Sequence, residues 1–353
     1  MQFVKLIIDK WGLAMSDILV PSGGDDWPRI QAAIESAVSR DGLVRLGRGV
    51  FLISRTLSIT KCVGLRLEGV GACNPQNCGP GWSDIKRAVG TCLKWVGQKN
   101  GTMVEILSSL QVSLNRMEFD GNDRASVLLQ IRSINGWPSG ALRIINAAFH
   151  HATVGIQLGD LGQPQGVNND ICTFEFISLM CDTGVRICNA QSLCHRFSYV
   201  DNYSRIGIDI RQGGCIEIDR LLQNGQNSNR IGVVFGGGGV NAATLSITNA
   251  RLEGGCLLTC GGASQIIHVL SYCGDVGAGV LPWKIGPSAL VTAQACSFSG
   301  PVAELAGLPG RKAVLIIQNS QLAKPANQSI IYKNAHAYAA VEGVFLHWSN
   351  NQA

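Results

Sequence analysis

The chain has 353 residues, of which 46% are hydrophobic and only 15% charged, and its net charge of +5 is spread thinly. That balance implies a large buried core whose surface draws its polarity from Asn, Gln, Ser, Thr and Gly. No basic run is interleaved with aromatics as a nucleic-acid groove requires, and no apolar stretch reaches the roughly 18 residues of a spanning helix.

Residues 1–17 carry Phe3, Leu6, Ile7, Trp11 and Leu13. They are expected to dock onto a partner protein or a second copy, and residues 1–14 lack the small-residue cleavage site of a signal peptide, so Sec export is not expected. Residues 18–60 change period within one segment. Asp26 is expected to cap a helix with Pro28 in its first turn, where a missing N–H costs nothing. Ile30, Ala33, Ile34, Ala37 and Val38 make its apolar stripe, and Gly42 ends it in a left-handed cap. Leu43–Leu46, Val50–Ile53 and Leu57–Ile59 then alternate as short strands. A helix with one apolar stripe set before such strands covers the open end of a core.

A loop-rich insertion is expected over residues 70–102. Cys73 and Cys78 lie within it and form the pair most readily bridged, while the odd total of 13 cysteines excludes a complete set of intrachain disulfides. Beyond it the chain repeats itself. Gly155-Ile156-Gln157-Leu158, Gly184-Val185-Arg186-Ile187, Gly207-Ile208-Asp209-Ile210 and Gly232-Val233-Val234-Phe235 follow at intervals of 29, 23 and 25 residues. Each is preceded by another alternating run, such as Phe174-Glu175-Phe176-Ile177 or Ile216-Glu217-Ile218-Asp219. Two or three short strands per coil predict an all-β fold, a right-handed parallel β-helix over residues 61–353, with successive coils about 4.8 Å apart. A sandwich or propeller needs two-residue hairpin turns between matched runs, and the Asn-Gly and Asp-Gly pairs here are not so placed. Cys172, Cys194 and Cys215 recur at intervals of 22 and 21 residues and are expected to form a buried ladder of small hydrophobes.

Gly24-Asp25-Asp26, Ile30-Gln31-Ala32-Ala33-Ile34, Leu43-Val44-Arg45-Leu46, Gly49-Val50-Phe51-Leu52-Ile53, Leu67-Glu68-Gly69-Val70-Gly71 and Phe119-Asp120-Gly121-Asn122 resemble the pectate-lyase-like superfamily of right-handed β-helices, notably its bacteriophage tailspike branch. The similarity covers roughly residues 18–125. The resemblance implies a virion spike of tail or neck, a homotrimer attached to other virion proteins through the N-terminal segment and projecting toward or binding cell-surface polysaccharide. The alternative is a depolymerase, a glycoside hydrolase or lyase acting on surface glycan. The Arg-x-Pro-x-x-Arg signature of calcium-dependent pectate lyases and the Asn-Thr-Asp and Gly-His-Gly elements of polygalacturonases are absent from the sequence, so those active sites do not carry over.

Glycoside hydrolysis needs two carboxyl groups about 5–5.5 Å apart for retention or about 6.5–9.5 Å for inversion. Glu175 and Glu217 alternate with expected inward neighbours Phe174, Phe176, Ile216 and Ile218, so they are the candidate catalytic acids, with Asp219 beside them; ordinary solvated charges are the competing reading. Tyr199 and Tyr203 are candidates for stacking on sugar rings, with Asp201 and Arg205 as polar contacts. Asp120, Asn122 and Asp123 read as a turn before they read as a cation loop. His150-His151 and Cys194-His195 have no partner at zinc-site spacing, so neither a metal nor a cofactor is expected.

Overall fold

In a computed structural model the chain forms a right-handed parallel β-helix with an N-terminal helix at Trp27–Val38. The structure describes residues 18–38, 42–72, 90–134, 138–160, 171–188, 194–224, 229–236, 243–262, 264–274, 280–323 and 331–347. The expected docking segment 1–17 and the pair Cys73 and Cys78 lie outside them.

The helix Trp27–Val38 buries Ile30, Ile34 and Ala37. Gly42 takes the expected left-handed conformation, φ 67°, and its N–H closes on the Ala37 carbonyl at 3.0 Å. The first carboxylate does something other than expected. Asp25 receives the Trp27 N–H at 3.1 Å, while Asp26 is buried and accepts from the N–H groups of Ser22 and Leu52 at 2.9 and 3.3 Å. Asp26 therefore ties the helix to the strand Gly49–Ile53 and does not cap it.

Each full coil presents three faces. Face A is formed by strands such as Cys194–Phe197 and Cys215–Ile218, face B by Val200–Asn202 and Leu221–Gln223, and face C by Thr183–Cys188 and Ile206–Gln212. Every named strand pairing is parallel to the coil above or below. In several coils A and B are one long strand, as in Leu142–His150 and Cys172–Met180, which join both faces into a single sheet.

A single residue makes the A-to-B corner. Arg116, Asn146 and Phe176 stack coil on coil, as do Asn249, Ser271, Ala295 and Asn319 further along, all with φ between 48° and 61°. A left-handed residue breaks the period of two, so inward positions before the corner continue as inward positions three residues later. In Cys172–Met180 the buried residues are Cys172, Phe174, Ile177 and Leu179. Phe176 is therefore not an inward neighbour of Glu175: it is 57% exposed.

The recurrent glycines open face C. A Cβ on Gly155, Gly184 or Gly207 would lie 2.6, 2.7 or 2.5 Å from the carbonyl oxygen of the next glycine in the stack, closer than any side chain tolerates. Inside, rings stack between coils: Phe119 on Phe149 at 4.7 Å and Phe174 on Phe197 at 4.5 Å. The cysteine ladder is only partly formed. Cys194 pairs in register with Cys215 and both are half-buried, whereas Cys172 is level with His195 and points into the core.

Candidate functional site

The outer side of face A carries the acids singled out from the sequence. Glu217 is exposed and level with Arg196 and Thr173, so it is offset from Glu175 by two coils and two residues. At about 4.8 Å per coil and about 3.3 Å per residue their backbones are roughly 12 Å apart. Glu175 is bound to Arg143 at 3.0 Å, and Asp219 follows Ile218 level with Ser198. The structure does not gather Glu175, Glu217 and Asp219 around one point.

At the corner, Phe176 and Tyr199 stack with ring centroids 5.6 Å apart and planes 28° from parallel. A bulky residue at φ 54° is strained, and here the strain holds an aromatic ring out in solvent. Burial and the Asp201 charge push the Tyr199 hydroxyl up, with Arg220 opposing. Asp201 is buried on face B and accepts a hydrogen bond from the Asn224 side-chain amide. Tyr203 follows the strand Val200–Asn202 and donates its N–H to the Leu179 carbonyl at 2.7 Å. Arg205 stands apart from this ledge, forked onto Asp182 at 2.7 and 3.1 Å across a coil.

Face B holds chemistry that the sequence reading missed. Its outward positions over three coils are Cys92 and Lys94, Glu118 and Asp120, then Ala148 and His150. Glu118, Asp120 and His150 are buried although they point away from the core. His150 Nε2 lies 2.7 Å from Glu118, and its Nδ1 lies 3.0 Å from Nδ1 of His151 and 3.7 Å from Asp120 Oδ1. His151 Nδ1 is 3.1 Å from the same Asp120 oxygen, and Lys94 holds the other at 3.3 Å. Burial disfavours the Asp120 anion, yet the His151 hydrogen bond, the His150 charge, the Asn122 N–H and Lys94 together hold its carboxyl well below the usual range. The same bond to Asp120 raises the His151 pKa against its partial burial. Burial and the charges of Glu118 and Asp120 push the Cys92 thiol well up, which keeps it protonated.

Asp120, one coil away and thirty residues distant in sequence, lies against His150-His151, a pairing made by coil register and not by sequence spacing. Asn122 and Asp123 form the expected turn, and the Asn122 N–H closes on Asp120 Oδ1 at 2.8 Å. His151 is 45% exposed and faces a cleft of about 460 Å³ lined also by Lys99, Asp123, Arg124, Thr153 and Asp182.

No protein-family model matches the sequence, and no curated protein matches it. Solved structures do resemble the fold. The Dettilon tailspike protein aligns over 93% of this chain and 67% of its own, at TM-score 0.59 and 13% identity. DFA-IIIase from Arthrobacter chlorophenolicus A6, without its lid, aligns over 92% and 91% at TM-score 0.57 and 11% identity. The Agl-KA catalytic domain aligns over 94% and 66% at TM-score 0.55 and 11% identity. The fold these structures share with this chain is a right-handed parallel β-helix. Identities this low carry the fold and no residue roles. Among the described residues no helix is long and apolar enough to cross a membrane.

Proposed function

We propose that this chain is a bacteriophage virion spike of tail or neck, a homotrimer that is anchored through residues 1–17 and binds host surface polysaccharide along its β-helix. The observation that carries glycan binding is the ledge of Phe176 on Tyr199, with the Phe176 ring exposed at a strained corner and the exposed Arg220 one coil beyond Tyr199 in the same row. Aromatic rings offer apolar faces to the C–H faces of sugars, and adjacent charges bind their hydroxyl groups. A stiff ladder of in-register coils holds such a ledge at a fixed distance from its anchor. The likeness to a tailspike protein over nearly the whole chain supports the same reading.

The test is binding of the purified protein to polysaccharide extracted from candidate hosts, with Phe176→Ala and Tyr199→Ala as variants and Glu175→Ala as a face A control. Both aromatic variants are expected to lose at least tenfold in affinity and the control none. Equal binding by all four proteins rules the ledge out.

A second reading, depolymerisation, is favoured by Glu118 and Asp120, two carboxylates that share one imidazole on face B. Zone clearing on a lawn of host cells separates the two: clearing by the parent protein and none by Glu118→Gln assigns an enzyme.

A further inference from the structure

We propose that Asp120, His150 and His151 form a binding site for a divalent transition-metal ion, taken up by Asp120 Oδ1, His150 Nδ1 and His151 Nδ1. These atoms are separated by 3.0, 3.1 and 3.7 Å. A point equidistant from all three lies about 1.9 Å from each, so an ion just off their plane reaches metal–nitrogen distances of about 2.0–2.1 Å and metal–oxygen distances of about 2.0–2.2 Å. Two imidazoles and one carboxylate on one side of an ion leave its opposite positions open. Half-exposed His151 places that open side toward the cleft.

A separate observation points the same way. Glu118 lies 2.7 Å from His150 Nε2, which places the ring proton on Nε2 and leaves the Nδ1 lone pair free toward the other two ligands. A carboxylate behind a histidine is the arrangement that orients metal-bound imidazoles and raises their basicity. Lys94 occupies the other Asp120 oxygen and fixes the carboxylate in a one-oxygen ligand pose. Backbone geometry is equally specific. His151 has φ 57°, which turns its side chain back beside that of His150 where adjacent strand residues ordinarily diverge. The ligand chemistry selects imidazole-binding ions such as Zn²⁺, Co²⁺ or Ni²⁺ over Ca²⁺, which takes six to eight oxygens.

The chain also carries a second cluster, Cys194, Cys215 and Glu217, so the experiment has to tell nitrogen and oxygen ligation from thiolate. The full-length protein, stripped with chelator, is titrated with Co²⁺ alone and with Zn²⁺ in competition. We expect one strong Co²⁺ site whose visible spectrum lacks thiolate-to-cobalt charge transfer, with Ca²⁺ in excess failing to displace the ion. His151→Ala loses the site while the stripped protein keeps the parent's far-UV circular dichroism, and Asp120→Asn weakens it at least tenfold. Glu118→Gln lowers affinity by about tenfold to a hundredfold, a change that a purely structural role for Glu118 would not produce. The proposal is overturned if the parent binds no Co²⁺, if the spectrum shows thiolate ligation, or if His151→Ala binds as tightly as the parent.

Discussion

Faces A and B are continuous across the Phe176 corner, yet they treat charge in opposite ways. On face A, Arg143 and Glu175 meet in solvent and Glu217 stands exposed beside Arg196. On face B, Glu118, Asp120 and His150 are withdrawn from water and bound to one another. The same backbone ladder therefore supports surface decoration on one side and a shielded polar network on the other. A charge matters in proportion to the water it has lost.

The largest expected effect breaks that contrast directly. Asp120→Ala leaves the buried His150 without the carboxylate beside its Nδ1, and the half-exposed His151 and Lys94 without their shared anion, at a cost of about 3 kcal/mol. Glu175→Ala is expected to cost less than about 1 kcal/mol. Urea unfolding of both variants measures the difference, and equal midpoints would mean that face B is no more shielded than face A.

Next in size is an acid effect on the inner side of face A. His195 is fully buried, and neither ring nitrogen has a partner among the described residues. Burial pushes its pKa down to about 4. The unfolded imidazole takes a proton at about pH 6.5, so between these values the unfolded state binds more protons and acidification favours it. The contribution is complete above pH 6.5 and falls by about 3 kcal/mol on the way to pH 4, at about 1.4 kcal/mol per unit. His195→Leu is expected to flatten the stability curve across that window. A curve of unchanged slope would show that His195 is not the group responsible.

These residues also mark how far sequence reading reaches. The helix stripe Ile30, Ile34 and Ala37 and the Gly42 cap were legible as local patterns, and the glycine stack at 155, 184 and 207 because it repeats at coil spacing. The face of each charge was not. Alternation carried through Phe174-Glu175-Phe176 places Phe176 inside, and only its left-handed φ shows that the phase resets there. Residues most tolerant of that conformation, Asn146, Asn249 and Asn319, recur at the same corner and were the available signal. The Asp120 and His150 pairing had no local trace: it depends on coil register, which the sequence shows only as an approximate interval.

A smaller effect sharpens what the corner is for. Phe176→Asn relieves left-handed strain of about 1–2 kcal/mol and gives up a ring stack of about 0.5–1.5 kcal/mol. The two nearly cancel, so stability is expected to stay within about 1 kcal/mol of the parent while polysaccharide binding falls. Loss of both stability and binding would make Phe176 a structural residue.

The smallest expected effect is the coupling between Arg143 and Glu175, and it is the most exacting check on the contrast between faces. Their 3.0 Å contact looks as good on geometry as anything on face B. Arg143 keeps 58% of its side chain in solvent, however, so water screens the pair and ordering both chains costs entropy. A double-mutant cycle on Arg143→Ala and Glu175→Ala, measured by urea unfolding, is expected to give an interaction of about 0.2–1 kcal/mol that shrinks in high salt. A coupling of several kcal/mol, unaffected by salt, would mean that Glu175 sits in a screened-off environment like that of Asp120. It would also return Glu175 to the candidates for chemistry from which its exposed partner now removes it.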